Sequence, residues 1–429
     1  MKKFIILCFI LLASIGRMTY CQPEISDTEN AITLSDFLSG VIKGNLGYIA
    51  EQFNVSIAEA EFKSSKAIHD AEVSVAYSNN EDRSLRMGQS VESGVSYPVN
   101  LANSRRAGIN LARSQYELSG LMLEAYFQNL RADAAIVYYE ALKREKIYLL
   151  QRESQKQLSE LARADSLRYS KGEVTALDAL QSSLEARSQQ TEVDQSHADM
   201  QNACLQLMLF KGTSNADKLE NPSDSFPVRE YSFDINSLVN SAIENRAELM
   251  AAIKNREVSE KYMKLMKANR GFELSLDAGY SYNSIVENEI APAPAYNGLS
   301  AGISFPLKFS GINRGSLHAA NLAVQQSITA YEETELQIRT EVIKAYNNFI
   351  AQNRKIECYN FGLVNDAEEI LQGRIYSYQH GESGLVDVLN ARRTYTELQL
   401  NYINALFDYT ASLIELERSA GIWDLTSTL

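Results

Sequence analysis

Apolar residues follow a helical period over long stretches of the chain. Proline is absent between Pro98 and Pro222 and again after Pro306, so helices can run through these stretches unbroken. The pattern predicts continuous helices over residues 101–168 and 312–379, each on the order of 100 Å long. Helices of this length need partners along them, which predicts a near-heptad seam. In the C-terminal segment the seam positions are Leu398, Tyr402, Ala405, Tyr409, Leu413 and Leu416.

Two shorter regions follow a different period, in which apolar and polar residues alternate strictly. This period is typical of β-strands with two unlike faces. It predicts β-hairpins at about 72–99 and at about 272–307. In the second hairpin Leu276, Tyr280 and Tyr282 share one face with other apolar residues, while serine, glycine and aspartate occupy the opposite face.

One motif occurs twice between helical segments. Residues 169–181 read Y-S-K-G-E-V-T-A-L-D-A-L-Q, and residues 378–390 read Y-Q-H-G-E-S-G-L-V-D-V-L-N. Glycine commonly follows a helix C-terminus, and Thr175 with Asp178 three residues later is the pattern of a capping box. In the second copy Ser383 is the candidate cap, and the box is incomplete. Each motif is therefore predicted to be the tip of an antiparallel helical hairpin.

The repeated motif indicates a duplicated architecture, and further matches such as Tyr138 with Tyr346 support it. The predicted divisions are a signal peptide at 1–21, a first repeat at 22–220 with its tip at about 169–178, a linker at 221–233, a second repeat at 234–421 with its tip at about 378–387, and a tail at 422–429.

The N-terminal segment has the features of a secretory signal. Lys2 and Lys3 precede a short apolar run at residues 4–13, which is too short to span a bilayer. Plain cleavage after Cys21 is the preferred interpretation, since Tyr20 is an unfavourable neighbour for lipid attachment, but a lipidated Cys21 stays open. No other run is long and apolar enough for a transmembrane helix. Export past the inner membrane is therefore expected.

Composition excludes several classes of function. The formal net charge of −13 argues against nucleic-acid binding, which needs basic patches. The catalytic motif H-E-x-x-H is absent from the sequence, and four scattered histidines predict no metal centre. No enzyme activity and no cofactor are therefore expected. Cys204 and Cys358 would lie at different heights along the helices, so both are expected to be unpaired, buried thiols.

The strand pattern points to a membrane. Strands with one apolar face, one small polar face and tyrosines near their ends are typical of outer-membrane barrels. A barrel in lipid must close, because an open edge leaves backbone groups unpaired. Four strands are too few to close around a pore. Several copies of the chain are therefore expected to pool their strands.

The duplicated order of helix, β-hairpin, helix, tip and helix resembles the TolC-like outer-membrane efflux proteins. Similar motifs are N-R-A-E-L at 245–249, S-F-P-L at 304–307 and H-G-E-S-G-L-V-D-V-L-N-A-R at 380–392, and the likeness covers about 30–421. The resemblance implies a mainly α fold with a small β part. It implies a homotrimer whose long helices form an α-barrel across the periplasm and whose strands form a transmembrane β-barrel in outer-membrane lipid.

The resemblance also implies a role. Such proteins are passive exit ducts for substrates handed over by an inner-membrane pump and a periplasmic adaptor protein. The sequence does not define the cargo, which leaves drugs, metal ions and secreted proteins open. The alternative is a soluble periplasmic coiled-coil scaffold or adaptor, which would need no lipid-facing strands.

Family members close their pore near the second tip with an Asp-x-x-Asp pair. Here Asp387 matches the first acid, Asn390 replaces the second, and Ser383 stands where the family has a basic residue. Asp387 is expected either at the pore aperture or in a helix-end role, and Asp178 either as a helix cap or at the aperture. His380 is expected to be a solvated tip residue.

The tips are also the expected docking site for the adaptor. The residues predicted to face it are Gly172, Glu173, Val174, Gly381, Glu382 and Leu385.

Overall fold

The computed structural model describes residues 31–79, 83–100, 103–213, 219–229, 231–271, 273–306 and 311–424. The predicted signal peptide, the question of lipid on Cys21 and the last residues of the predicted tail lie outside the described residues. Among the described helices, none is both long enough and apolar enough to cross a membrane.

The two halves of the chain contain similar elements in the same order. The first half contains β1 (Ala31–Ile32), α1 (Leu34–Gly44), α2 (Leu46–Ser65), β2 (Glu72–Asn79), β3 (Gln89–Asn100), α3 (Ser104–Ser170) and α4 (Ala176–Phe210). The second half contains β4 (Asn221–Pro222), α5 (Ile235–Asn245), α6 (Ala247–Ala268), β5 (Glu273–Asn283), β6 (Tyr296–Ser304), α7 (Ile312–Cys358), α8 (Val364–Gln379) and α9 (Leu385–Ala420).

In the first half, α2 and α4 lie end to end beside the long helix α3. Asn45 makes the junction. Its Oδ1 accepts a 2.9 Å hydrogen bond from the Tyr48 amide at the start of α2, and its Nδ2 donates a 3.0 Å bond to the Phe210 carbonyl at the end of α4. One side chain thus satisfies backbone groups at two helix ends that would otherwise lack partners.

The long helix of the first half is continuous, as predicted. It runs for 67 residues from Ser104 to Ser170. The prediction of an equally continuous helix over 312–379 is wrong, because a π-helical turn at Tyr359–Leu363 separates α7 from α8. Within that turn Gly362 has φ 109°, a left-handed conformation that an L side chain rarely adopts.

The strands form one antiparallel sheet in the order β2-β3-β5-β6. Val95 pairs with Val73 on one side and with Ala278 on the other, so apolar residues of neighbouring strands share one face. The large side chains on this face are exposed. Its exposed large residues are Val73, Val75, Tyr77, Val91, Val95, Tyr97, Leu276, Tyr280, Tyr282, Leu299 and Ile303.

Most residues on the opposite face of the sheet are small or acidic. They are Ser74, Ala76, Glu92, Gly94, Ser96, Asp277, Gly279, Ser281, Gly298, Ser300 and Gly302. The Ser304 hydroxyl donates a 3.0 Å hydrogen bond to Asp277 at the end of β6. The sheet therefore has the two unlike faces that the alternating pattern predicts.

The largest hydrophobic clusters lie where the two halves meet the linker. Tyr138 and Tyr409, both wholly buried, anchor the linker. The Tyr138 hydroxyl lies 2.9 Å from the Ile32 carbonyl oxygen and 2.9 Å from Asp224 Oδ2, and the Tyr409 hydroxyl donates a 2.8 Å bond to the Arg229 carbonyl. The linker is thus held against both long-helix bundles.

The two cysteines of the described chain are free and have different environments. Cys204 is buried in α4, and burial raises the pKa of its thiol to about 11. The prediction that Cys358 is also buried is wrong. This residue ends α7 just before the π-helical turn, where its side chain is exposed.

Candidate functional site

The two helical hairpins end in turns of the same geometry. Gly172 has φ 79° and Gly381 has φ 75°, so both glycines adopt the left-handed conformation that ends a helix. The Glu173 amide donates to the Arg168 carbonyl at 2.9 Å, and the Glu382 amide donates to the Ser377 carbonyl at 2.8 Å. A Cβ on either glycine would meet no atom within 4 Å, which shows that both tips are open.

Most of the residues predicted to dock an adaptor lie at the surface of the tips. Gly172, Glu173, Gly381 and Glu382 are exposed, and Val174 is half-buried.

Leu385 does not lie at this surface, so the expectation that it faces a partner is wrong. It is only 3% exposed and packs in a cluster with Tyr378, Val388 and Leu389, because the first turn of α9 directs it inward. Its neighbour Val386, 53% exposed, is the apolar side chain that the second tip presents.

The capping box predicted at the first tip is present. The Thr175 hydroxyl accepts a 3.1 Å bond from the Asp178 amide, and Asp178 Oδ2 accepts a 3.3 Å bond from the Thr175 amide. The prediction that Ser383 caps the second hairpin is wrong. Gly384 occupies the cap position without a side-chain bond, and the Ser383 hydroxyl is buried with no hydrogen-bond partner among the described residues.

Asp178 and Asp387 occupy the same position, the third residue of their helices. Because Gly384 replaces a threonine at the second cap, Asp387 has no counterpart of the capping box. Its carboxylate is exposed and has no hydrogen bond or ion pair with any described residue. Asn390, one turn later, is also exposed. The structure thus gives Asp178 a helix-capping contact and leaves Asp387 available to solvent.

Sequence reasoning missed the contact that joins the two tips. The Tyr378 hydroxyl donates a 2.7 Å hydrogen bond to Oδ1 of Asp165, whose side chain is wholly buried. Arg168 lies over the Tyr378 ring at 5.0 Å and pairs with Glu173 at 3.5 Å. Burial, followed by the hydrogen bond to Asp165, raises the pKa of Tyr378 above its ordinary value. The repeat gives no signal for this contact, since the equivalent Tyr169 is exposed.

A second set of polar contacts joins the hairpins above the tips. Arg392 is 8% exposed and donates a 2.6 Å bond to Gln157 Oε1, while its Nε has no acceptor among the described residues. Burial lowers the pKa of this guanidinium. Arg393 pairs with Glu185 across the same groove. The groove encloses a cavity of about 260 Å³ between α3, α4 and α9.

These contacts hold helices together, and none of them forms a reactive centre. Within the described ranges, no group of three histidine, cysteine, aspartate or glutamate side chains is placed to hold a metal ion. The site therefore consists of two exposed turns with solvent-facing acids, Glu173, Glu382 and Asp387, and a few buried polar contacts that hold the turns together.

Comparison with known proteins identifies the architecture. Residues 238–422 match the family described as outer membrane efflux protein. The cobalt-zinc-cadmium resistance protein CzcC of Cupriavidus metallidurans is 19% identical over 326 residues, which are 76% of this chain and 75% of that protein. Outer membrane protein TolC of Vibrio cholerae is 27% identical over 191 residues, 43% of each chain.

The fold of the whole chain agrees with these matches. The solved structure of CusC superposes with a TM-score of 0.74 at 17% identity, covering 91% of this chain and 92% of that one. The duplicated helical hairpins and the four-stranded sheet are thus shared over nearly the full length. The chain is therefore similar to the TolC-like outer-membrane efflux proteins: residues 238–422 match the outer membrane efflux protein family, and nearly the whole chain has the fold of CusC.

Proposed function

We propose that the chain forms a homotrimeric channel-tunnel that is the exit duct of a tripartite efflux or type I secretion system. In this role it passively exports substrates that an inner-membrane pump and a periplasmic adaptor deliver to the tips. The observation that carries the proposal is the sheet, which exposes a largely apolar face and has a pairing edge on each side.

The apolar face supports a position in lipid. Monomeric soluble proteins rarely expose a contiguous patch of many large apolar side chains. Here such residues occupy the same face of all four strands, for example Val75, Tyr280 and Leu299. The opposite face, with its serines and glycines, suits a water-filled lumen.

The edges of the sheet support assembly from several copies. β2 and β6 are the outer strands of the described sheet, and an unpaired edge is strongly disfavoured in hydrocarbon. Pairing β6 of one copy with β2 of the next removes both edges. Three copies would then supply the twelve strands of one closed barrel.

The helical part also has two complementary edges. Below the linker the helices pack in the order α4, α3, α9, α8. On α4 an exposed apolar stripe contains Leu177, Leu180 and Leu184, and on α8 the exposed Ile370 and Tyr376 form another.

The two stripes lie at matching heights. Leu177 and Leu184 follow Gly172 by five and twelve residues, and Tyr376 and Ile370 precede Gly381 by five and eleven. With a rise of about 1.5 Å per residue, the heights above the tips agree within about 2 Å. The stripes are therefore positioned to meet between neighbouring copies.

Crosslinking tests this arrangement. In a Cys358→Ser background, Leu180→Cys combined with Gly373→Cys should give oxidised dimers and trimers on a denaturing gel, because both positions lie eight residues from a tip glycine. Leu205→Cys with Gly373→Cys is the matched control, since Leu205 is exposed on α4 but lies far above the tip. Equal crosslinking by both pairs would show that the stripes do not meet in register.

The conditions of extraction from the cell envelope and the mass of the assembly distinguish a membrane channel from a soluble periplasmic scaffold. The channel should need detergent for release from the cell envelope and should have the mass of three chains in that detergent. Release by osmotic shock alone would favour the scaffold. A detergent-solubilised monomer with native far-UV circular dichroism would overturn the trimer.

The exposed turns support adaptor docking at the tips. Replacing Gly172 or Gly381 by tryptophan adds bulk where the described chain leaves open space. Export should be lost while trimers remain in the outer membrane. Gly172→Ala and Gly381→Ala are the controls, since they add the strain of a left-handed backbone with little bulk. Export that survives both tryptophan changes would exclude docking at these turns.

A further inference from the structure

A groove near the linker lies between α1, α3 and the residues that follow α9. It encloses about 250 Å³. An apolar cavity of about 150 Å³ holds a benzene molecule, so this groove has room for a small organic molecule of on the order of ten non-hydrogen atoms. Its apolar wall consists of Leu38, Val41, Ile42, Phe127, Leu130 and Trp423.

The one charged side chain among the described residues that line the groove is a cation. Arg131 lies in the wall formed by α3, and Ser35 and Ser39 lie one helical turn apart on α1. No described aspartate or glutamate lines the groove. In a chain with a formal net charge of −13, this groove is therefore a local environment that favours an anion.

The guanidinium of Arg131 is held by aromatic rings. Its Cζ lies 4.2 Å from the centroid of the Trp423 ring and 5.5 Å from that of the Phe127 ring. Its Nε is buried and has no hydrogen-bond partner among the described residues. A buried donor without an acceptor costs free energy, so a ligand that supplies an acceptor would stabilise this arrangement.

The nearby acids do not supply that acceptor. Burial lowers the pKa of the Arg131 guanidinium, and the carboxylates of Glu124 and Glu417 oppose this effect through space. Neither acid lines the groove. They favour the charged form of Arg131 and leave its groove side to a ligand.

We infer that this groove binds a small organic carboxylate with an apolar body. The carboxylate accepts hydrogen bonds from the Arg131 guanidinium, and the apolar body packs on α1 and on Phe127. A hydrogen bond between a guanidinium and a carboxylate is charge-assisted and roughly twice as strong as a neutral one. Since apolar contact alone does not distinguish an anion from a neutral molecule, Arg131 determines the class of ligand.

The groove lies within one copy of the chain. The helix α3 packs on α4 and α9 of the same chain, and the assembly proposed above joins copies at α4 and α8. The groove is on α3 between α1 and the end of α9, away from those edges. The inference goes beyond the proposed function and does not depend on it, because one chain supplies every residue of the site.

The fluorescence of Trp423 tests the site directly, because this is the single tryptophan of the sequence and it lines the groove. The detergent-solubilised full chain is titrated with cyclohexanecarboxylate, and with cyclohexanecarboxamide as a neutral probe of the same shape. The carboxylate should change the emission with saturation and should raise the midpoint of thermal unfolding, because it binds the folded chain. The amide should bind at least tenfold more weakly. Equal responses to the two probes, or no response to the carboxylate, would overturn the inference.

Two variants separate the charge from the space. Arg131→Gln removes the cation and keeps Trp423, so affinity for the carboxylate should fall at least tenfold while affinity for the amide stays the same. Ser39→Phe fills the groove and should abolish binding of both probes. Ser237→Phe, at an exposed position on α5, is the matched control and should bind both probes like the unmodified chain. Carboxylate affinity that survives either Arg131→Gln or Ser39→Phe would place the ligand elsewhere and overturn the site.

Discussion

The Tyr378 hydroxyl and the Asp165 carboxylate, 213 residues apart in sequence, form a 2.7 Å hydrogen bond between the two hairpins near their tips. Asp165 is wholly buried, and its second oxygen has no partner among the described residues. A buried carboxylate without hydrogen bonds is costly. The Tyr378 hydroxyl is therefore the main hydrogen-bond donor that offsets the cost of burying the Asp165 carboxylate between the two tips.

Tyr378→Phe should loosen the tips. Removing the hydroxyl leaves Asp165 unsatisfied at both oxygens, which costs on the order of 1–3 kcal/mol and more if the group stays charged. We expect larger single-channel conductance in a planar bilayer and faster proteolysis of the second tip.

Tyr169→Phe is the matched control, because Tyr169 holds the same place in the first motif and is 51% exposed. It should behave like the unmodified channel. An effect of equal size from both changes would mean that the Tyr378 hydroxyl does not fasten the tips.

The same hydrogen bond predicts a response to alkaline pH. The pKa of Tyr378 is raised in the folded state, mainly by burial and then by the bond to Asp165. A group with a raised folded-state pKa contributes stability below its unfolded value, about 10 for tyrosine, and loses it as the pH rises further. Conductance should be constant from about pH 6 to 9 and should rise above about pH 10. Tyr378→Phe should remove this step, and a step that persists in the variant would assign it to another group.

The helix caps differ between the tips, and the difference can be measured. Thr175→Ala removes both the side-chain cap and the partner of Asp178, which should cost about 0.5–2 kcal/mol. Ser383→Ala removes a buried hydroxyl that has no partner among the described residues, so it should be neutral or stabilising. Urea denaturation of the trimer, with hydrogen exchange at the start of α4, checks both. A larger loss from Ser383→Ala would mean that this hydroxyl caps the second hairpin.

The hydrophobic period predicted much of the fold, because it reports which face of each element is buried. It indicated the continuous helix α3 and the two-faced strands, while the spacing of Thr175 and Asp178 indicated the capping box. The period could not show the turn at Tyr359–Leu363, because one extra residue in a π-helical turn leaves the apolar face unchanged on both sides. It could not show the Asp165–Tyr378 bond either, since that contact depends on how two separate hairpins pack.

The errors at the second tip have one local cause. The sequence placed the cap at Ser383, whereas the helix begins after Gly384. With the cap one residue later, Leu385 turns into the tip cluster and Val386 turns outward. A one-residue difference in a helix start rotates side chains by about 100°, and Gly384 has no side chain whose cap hydrogen bond would favour it over Ser383.

Opposite faces of one strand should respond differently to added charge. Val95 and Ser96 are neighbours on β3, with Val95 on the apolar face and Ser96 on the small polar face. Val95→Lys places an ammonium group toward lipid and should cost about 2–4 kcal/mol if the site lies near the bilayer midplane. Ser96→Lys directs the same charge toward the lumen. Trimer yield in outer-membrane fractions should fall for Val95→Lys only. Equal yields would show that the apolar face does not contact lipid.

The solvent-facing carboxylate at the second tip leads to a prediction about the pore. In a trimer, three copies of Asp387 would approach the axis where the tips converge. Like charges held close together repel, and cations relieve that repulsion. Asn390 replaces a second acid, so the ring would hold three carboxylates and block by multivalent cations should be moderate.

Ion selectivity alone does not isolate Asp387. The small polar face of the sheet carries Glu72, Glu92, Glu273 and Asp277, and the four described strands contain no lysine, arginine or histidine. These acids would also favour cations in the barrel. Block by a trivalent cation added on the periplasmic side is the sharper measurement, because it reports the acids near that entrance rather than those of the barrel.

Asp387→Asn should therefore weaken periplasmic block by hexamminecobalt(III) at least tenfold and reduce cation preference in part. Asp178→Asn is the matched control at the same helical position, and its carboxylate is engaged in the capping box. It should lower the stability of the first tip while leaving block unchanged, because a carboxylate held by Thr175 at a helix start is not free to coordinate a cation at the axis. If Asp387→Asn leaves block and selectivity unchanged, Asp387 lies away from the lumen and acts only at the start of α9. If Asp178→Asn also weakens block tenfold, the ring contains both acids and the capping contact does not remove Asp178 from the pore.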